Sequence, residues 1–244
     1  GTTFGYLDAM AEMAEEYPDV IFLHCSGYLK NDTNFGNYFG KMYQPRYLSG
    51  LAAGAMTESN KIGYVAAFPI PEVIRGINAF ATGVKEVNPD ATVEVVWTFT
   101  WFGPEAETQA ANALLETGVD VLAQHQDSPS TGIAAEAAGA KWISYNTAYG
   151  QDAAPGAFVT APVWDWGPYY VQVVESIVND EFVAEAYWGG METGLVSLYE
   201  LSSDVPGETA TLISERTEEI ISGSFDPPIV EDEFIDNVIG TVNP

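Results

Sequence analysis

The segment from Lys61 to Phe80, Lys-Ile-Gly-Tyr-Val-Ala-Ala-Phe-Pro-Ile-Pro-Glu-Val-Ile-Arg-Gly-Ile-Asn-Ala-Phe, constrains the fold more than any other stretch. Ile62 to Ala67 is a short run with few polar groups, as a central parallel strand requires. Pro69 and Pro71 end it, and Pro71 suits the first turn of a helix, where its missing N–H costs nothing. Phe68 is left at the carboxyl end of the strand, the edge of an open α/β sheet where ligands bind. The same strand, turn and helix pattern recurs. Thr92 to Thr100 reads as a strand and Pro104 to Thr117 as a helix. Val119 to Gln124 is a strand, followed by the turn His125-Gln126-Asp127-Ser128-Pro129 and a helix to about Ala138. Trp142 to Tyr145 is a strand ending at Asn146. Strands alternating with helical patterns predict an α/β protein with parallel sheets.

Before this block lie a helix over Leu7 to Glu16, a strand over Val20 to Cys25, a loop rich in Asn and Gly (Asn31 to Gly40) and a helix around Tyr43 to Met56. Residues 61 to 150 hold enough βα units for a complete lobe. The first block does not, since each βαβ unit takes about 30 residues or more. Roughly two further βα units, on the order of 60 residues or more, are therefore expected ahead of Gly1; a small, atypical first lobe is the alternative. After the second block, Pro162 to Gly167 (Pro-Val-Trp-Asp-Trp-Gly) interrupts the pattern. Pro168 to Val178 is an amphipathic helix, Tyr187 to Leu201 is extended and punctuated by glycine, and Pro206 to Ser222 is a polar, acidic helix.

Composition narrows the partners. The 244 residues carry 8 Lys+Arg against 35 Asp+Glu, a net charge of −27. Such a surface repels nucleic acid and anionic lipid head groups. Either a salt-rich habitat, where ions screen the self-repulsion, or an acidic exported protein accounts for it. No apolar run has the length of a membrane span. Cys25 is the single cysteine, which rules out an internal disulfide and a cysteine metal cluster and reads as a structural thiol. Enzyme signatures are missing. There is no Gly-x-Gly-x-x-Gly after a strand, no Walker lysine loop and no Gly-x-Ser-x-Gly elbow, and neither of the two histidines is flanked by an obvious nucleophile. No metal or cofactor is implied.

Several motifs, in order, resemble one family. They are residues 43 to 57 (Tyr-Gln-Pro-Arg-Tyr-Leu-Ser-Gly-Leu-Ala-Ala-Gly-Ala-Met-Thr), the Ile62 to Phe80 run, Gln124-His125-Gln126-Asp127-Ser128-Pro129, residues 162 to 170 (Pro-Val-Trp-Asp-Trp-Gly-Pro-Tyr-Tyr) and Tyr187-Trp188-Gly189-Gly190-Met191. Together they resemble the basic membrane protein family, substrate-binding proteins of ABC importers related to the bacterial purine nucleoside receptor, and within it the branch associated with adenine and related purines. The resemblance implies a type I periplasmic-binding-protein fold: two Rossmann-like lobes with parallel sheets, joined by three crossovers, holding a ligand between them. On this reading residues 1–60 and 163–186 form a partial N-terminal lobe and 61–162 the C-terminal lobe. Residues 187–244 form a hinge crossover with the final helix and tail. The family carries a segment ahead of Thr3-Phe4-Gly5-Tyr6, with an Asp-Gly-Gly-Trp-like loop lining the ligand, that this chain lacks. The implied role is capture of a purine base or nucleoside outside the cytoplasmic membrane by a monomer that delivers it to the permease and ATPase subunits. Membrane contact would come only through a lipid anchor or the permease. A sensor domain of the same fold is the alternative, and a nucleoside-processing enzyme a more distant one.

Six residues are candidates for ligand contact. Phe4 and Phe68 each follow a strand; each either stacks on a planar base or packs the interior. Asp127 either accepts hydrogen bonds from a ligand hydroxyl or amine or caps the next helix, a role Ser128 also suits. Asn146 either reads a base edge, offering donor and acceptor, or forms a turn. Trp164 and Trp188 are drawn from the family motifs, while Trp166 is expected to pack a hinge. His125 is expected to be structural, with no second histidine or carboxylate at ligand spacing. Gly50 and Gly54 are expected to serve close helix–sheet packing, and Glu208, Glu215, Glu218 and Glu219 a solvated helix face.

Overall fold

In a computed structural model, residues 1–2 and 4–242 are described, the side chain of Phe4 excepted. The chain forms two compact units and passes between them three times. One unit comprises Gly1–Lys41 and Asp165–Val196, the other Met42–Trp164 and Ser197–Pro244.

In chain order, the first unit opens with α1 (Leu7–Glu16), β1 (Phe22–Cys25) and β2 (Phe35–Gly40). The second unit takes α2 (Tyr43–Met56), β3 (Lys61–Ala66), α3 (Pro71–Val87), β4 (Thr92–Trp97), α4 (Pro104–Glu116), β5 (Val121–His125), α5 (Ser130–Ala138), β6 (Lys141–Ile143), the single turn α6 (Gly150–Ala153), β7 (Phe158–Thr160) and β8 (Pro162–Trp164). The first unit resumes with α7 (Gly167–Val178) and β9 (Ala186–Gly189). The chain then returns through β10 (Val196–Leu198) to α8 (Gly207–Ser222) and β11 (Val238–Ile239).

The second unit is built on a six-stranded sheet in the order β11-β4-β3-β5-β6-β7. Every pairing in it is parallel. The central strand β3 is buried on both faces from Ile62 to Ala66, which is why it reads as an unbroken apolar run. Prolines open α3 and α4 in their first turns, as Pro71 and Pro104 predict. One core gathers Val65, Leu114, Leu122, Trp142 and Phe158. Trp142 is fully buried and donates from Nε1 to Gln124 Oε1 at 3.0 Å, so its polar atom is satisfied inside the core.

The first unit has a three-stranded parallel sheet, β1-β2-β9. Gly1 lies along the β1 edge: its N-terminal amine donates to Leu23 O at 2.7 Å and its carbonyl accepts from Cys25 N at 2.8 Å. Leu7, Ala14 and Phe35 form the small core, with Met10, Phe22 and Leu29 against it.

Three sequence readings need correction. Residues 35 to 40, expected within a loop, are strand β2. Phe35 and Tyr38 are buried, and both backbone edges are paired. Gly36 lets Glu185 approach, since a β-carbon there would lie 2.8 Å from its carbonyl. Asn34 supplies the punctuation, donating from Nδ2 to Ala14 O at 2.9 Å, Tyr17 O at 3.2 Å and Val20 O at 2.8 Å. It thereby satisfies carbonyls at the end of α1.

Helix α2, expected in the first lobe, belongs to the second unit. Residues 43 to 54 are buried all round, so α2 needs neighbours on every side. The Gly50 and Gly54 pair serves helix–helix rather than helix–sheet packing. A β-carbon on Gly50 would meet Phe80 O at 2.0 Å, and one on Gly83 of α3 would meet Tyr47 O at 2.1 Å.

Candidate functional site

Because β3 to β7 run parallel, the segments that follow their carboxyl ends share one edge of the second unit's sheet. Phe68 follows β3. It is half-buried and packs on Trp101, with ring centroids 5.2 Å apart, and edge-on to Phe99 at 6.4 Å. The segment after β4 is held to β3 beyond its last residue, with Thr98 N donating to Ala66 O and Phe99 N to Ala67 O. Phe99 turns through a positive φ of 56° and is 53% exposed. Phe102 is also exposed.

The β5 edge adds polar chemistry. Asp127 N donates to Trp101 O at 3.0 Å, joining this turn to the aromatic segment. Its carboxylate is exposed and accepts from Asn146 Nδ2 at 2.7 Å. Asn146 Oδ1 in turn accepts from Trp164 Nε1 at 3.0 Å. Three of the sequence-predicted residues thus form one hydrogen-bonded string, with Phe68 beside it along the edge. Asn146 sits at a φ of +68°, a left-handed conformation that Asn tolerates better than most residues. Asn146 thus takes the turn conformation while its amide bridges Asp127 and Trp164.

Partial burial raises the pKa of Asp127; the Asn146 hydrogen bond opposes this, and the nearby Glu107 and Glu72 charges add to it. Capping is not its role. Helix α5 begins at Ser130 with Pro129 before it and no side-chain cap. Ser128, one residue further back, meets the first N–H of that helix instead. Its hydroxyl donates to Glu107 Oε2 and accepts from Ser130 N at 3.3 Å. Glu107 is fully buried, and its other oxygen accepts from Gly103 N at 2.9 Å. It therefore ties the aromatic segment to the Asp127 turn.

Behind the edge lies a charged core that the sequence reading did not single out. Arg46 of α2 is fully buried. Its Nη1 donates to Gln124 O at 2.6 Å, and its guanidinium carbon lies 3.8 Å from the centre of the Tyr145 ring, a cation–π contact. His125 is buried beside it, 4.5 Å from the Tyr145 ring centroid and with Nε2 3.7 Å from Glu72 Oε1. Burial pushes its pKa down to about 4, against the opposing Glu72 contact. The one available signal was an arginine inside an otherwise small and apolar helix.

The remaining candidates belong to the first unit. Phe4 starts a short 3-10 turn, Phe4–Tyr6, and its side chain lies outside the described residues. Trp188 lies on β9, in register with Phe39 of β2, and is 40% exposed. Trp166 packs edge-on against Tyr38 and stacks on Tyr170. Asp165 accepts from Gly167 N at 3.1 Å and opens α7. Among the described residues no group of three or more His, Cys, Asp and Glu is placed to hold a metal ion, and no helix is long and apolar enough to cross a membrane.

An aromatic surface beside a carboxylate and an amide can take the face of a flat ring and meet its polar edge. Comparison with known proteins places the fold that carries it. Residues 1–226 match the model of the Bmp family, described as ABC transporter substrate-binding protein PnrA-like. The chain belongs to this family. As a Bmp chain it is 46% identical over 226 residues to the putative ABC transporter glucose-binding protein TsgA13 of Haloferax volcanii, covering 93% of this chain and 57% of that protein. It is 36% identical over 231 residues to a purine-binding protein of Brucella abortus, covering 93% of this chain and 64% of that protein. It therefore spans less than two thirds of the length of either relative. A solved solute-binding protein of an Aeropyrum pernix ABC transporter superposes with a TM-score of 0.79 at 17% identity, covering 94% of this chain and 77% of that one. The Bmp chain has the α/β, type I periplasmic-binding-protein fold.

Proposed function

We propose that this chain is the ligand-capturing part of a substrate-binding protein of an ABC importer, and that its ligand is a purine base or nucleoside. The observation that carries the reading is the string Trp164–Asn146–Asp127 beside Phe68 and Trp101. It offers a carboxylate acceptor and aromatic faces along one sheet edge, the complement of a flat heterocycle bearing an amine or ribose hydroxyls. The purine-binding relative from Brucella abortus supports it. Phe4 and Trp188, in the first unit, remain candidates for ligand contact. The ligand is bound and handed to the permease, and a separate ATPase subunit supplies the energy. The protein acts outside the cytoplasmic membrane as a monomer, held there by a lipid anchor in its full-length form.

One observation favours a second reading. The relative with 46% identity is named for glucose, and an aromatic face with a carboxylate also suits a sugar ring. Mass spectrometry of small molecules released from the denatured full-length protein separates the two. Recovery of a purine supports the proposal, and recovery of a hexose without any purine overturns it.

A further inference from the structure

An asparagine amide can serve a carboxyl group in either of its forms. Its Nδ2 donates to a carboxylate; turned over, its Oδ1 accepts from a protonated carboxyl. At Asn146 the choice is made from the far side. An indole nitrogen only donates, so the end of the amide that Trp164 Nε1 meets at 3.0 Å is Oδ1. That leaves Nδ2 for Asp127 Oδ1, at 2.7 Å. The backbone already brings the indole alongside. Asn146 bridges Val163 in parallel, and Trp164 N donates to Asn146 O at 3.4 Å.

We propose that Trp164 is a positioning residue: its indole N–H makes the Asn146 amide a one-way donor, which keeps Asp127 as the anionic acceptor for a ligand amine or hydroxyl. The consequence for a ligand rests on the purine reading above; the orientation of the amide does not. The bond from Asn146 favours the ionised carboxylate. It works against burial and against the charges of Glu107 on α4 and Glu72 on α3. Tyr145 feels the Asp127 charge in turn, and His125 lies two residues before it.

Two substitutions in the full-length protein test this without touching those four ionisable groups. Trp164→Phe keeps a ring and deletes the donor. Asn146→Gly removes the amide at a positive φ that glycine accepts. The pH midpoint of the Asp127 carboxyl, followed by carbon-13 NMR without ligand, is expected to be higher in both than in the parent. Trp164→Phe is expected to move it no further in an Asn146→Gly background. Calorimetry at neutral pH should show adenine and adenosine binding about three- to tenfold more weakly in Trp164→Phe, the worth of one hydrogen bond. An unmoved midpoint overturns the proposal whatever the affinity, since Trp164 then serves the ligand or the fold directly. Undiminished affinity with a raised midpoint overturns it as well. If the parent binds neither adenine nor adenosine, the purine reading fails, and the ligand-free titration still decides the role of Trp164. Should Trp164→Phe not fold, the parent answers instead. Its Trp164 indole N–H resonance should move with pH through the Asp127 titration, and Asn146→Gly should abolish that movement. An indole resonance blind to the titration overturns the proposal.

Discussion

Asp127 and Asn146 are held by each other, at 2.7 Å, while the Asp127 carboxylate stays exposed. A ligand amine or hydroxyl can therefore reach its second oxygen without breaking the pair. Replacing Asp127 with Ala is expected to weaken ligand binding by about 1.5–3 kcal/mol, as for a hydrogen bond to a charged group. The fold should survive, because Asp127 caps no helix. Normal affinity with a much lower Tm would make the residue structural. His125 behaves in the opposite way. Its folded pKa, about 4, lies below the ordinary 6.5, so between these values the unfolded chain binds a proton that the native state refuses. The stability contributed by neutral His125 is full above 6.5 and is lost as the pH falls toward 4, by roughly 3 kcal/mol in total. Urea unfolding across this window should show a slope in the parent that is reduced in His125→Gln; equal slopes would contradict the assignment. At this scale the sequence was a partial guide. Phe68, Asp127 and Asn146 were legible because strand ends followed by turns mark the edge of a parallel sheet. Arg46 and Glu107 were not. Their neighbours are distant in sequence, and an isolated buried charge leaves no periodic trace.

The elements were easier to read than their allegiances. Strands β3 to β6 and helices α3 to α5 announced themselves by alternation and by proline at helix starts. Strand β2 was hidden because Asn and Gly dominate residues 31 to 40, although each has a specific task, Asn34 on the end of α1 and Gly36 beside Glu185. The place of α2 depends on contacts that no local pattern encodes. It packs so closely on α3 that Gly50 and Gly83 meet the opposing backbone. A side chain at Gly83 must push the helices apart. Gly83→Ala should destabilise the protein by about 1–3 kcal/mol or more, despite alanine's better helix propensity. Chemical denaturation measures this, and an unchanged or raised midpoint would show that the two helices can separate freely.

For the whole molecule, charge is the dominant property. With a net charge of −27, most carboxylates have no basic partner, and the folded state concentrates their repulsion. Added sodium chloride screens that repulsion. The Tm should rise steadily with salt from low ionic strength; a flat or falling curve would mean that the acidic surface carries little destabilising energy. Charge also fits a small, neutral or amine-bearing ligand better than an anionic one. The proposed function has the sheet edge at Phe68, Asp127 and Asn146 taking a purine. Isothermal titration calorimetry of the full-length protein with adenine, adenosine and glucose addresses it most directly. Purine binding at micromolar affinity or tighter, roughly −8 kcal/mol, that weakens in Asp127→Ala is expected. Heat from glucose and none from either purine would contradict it.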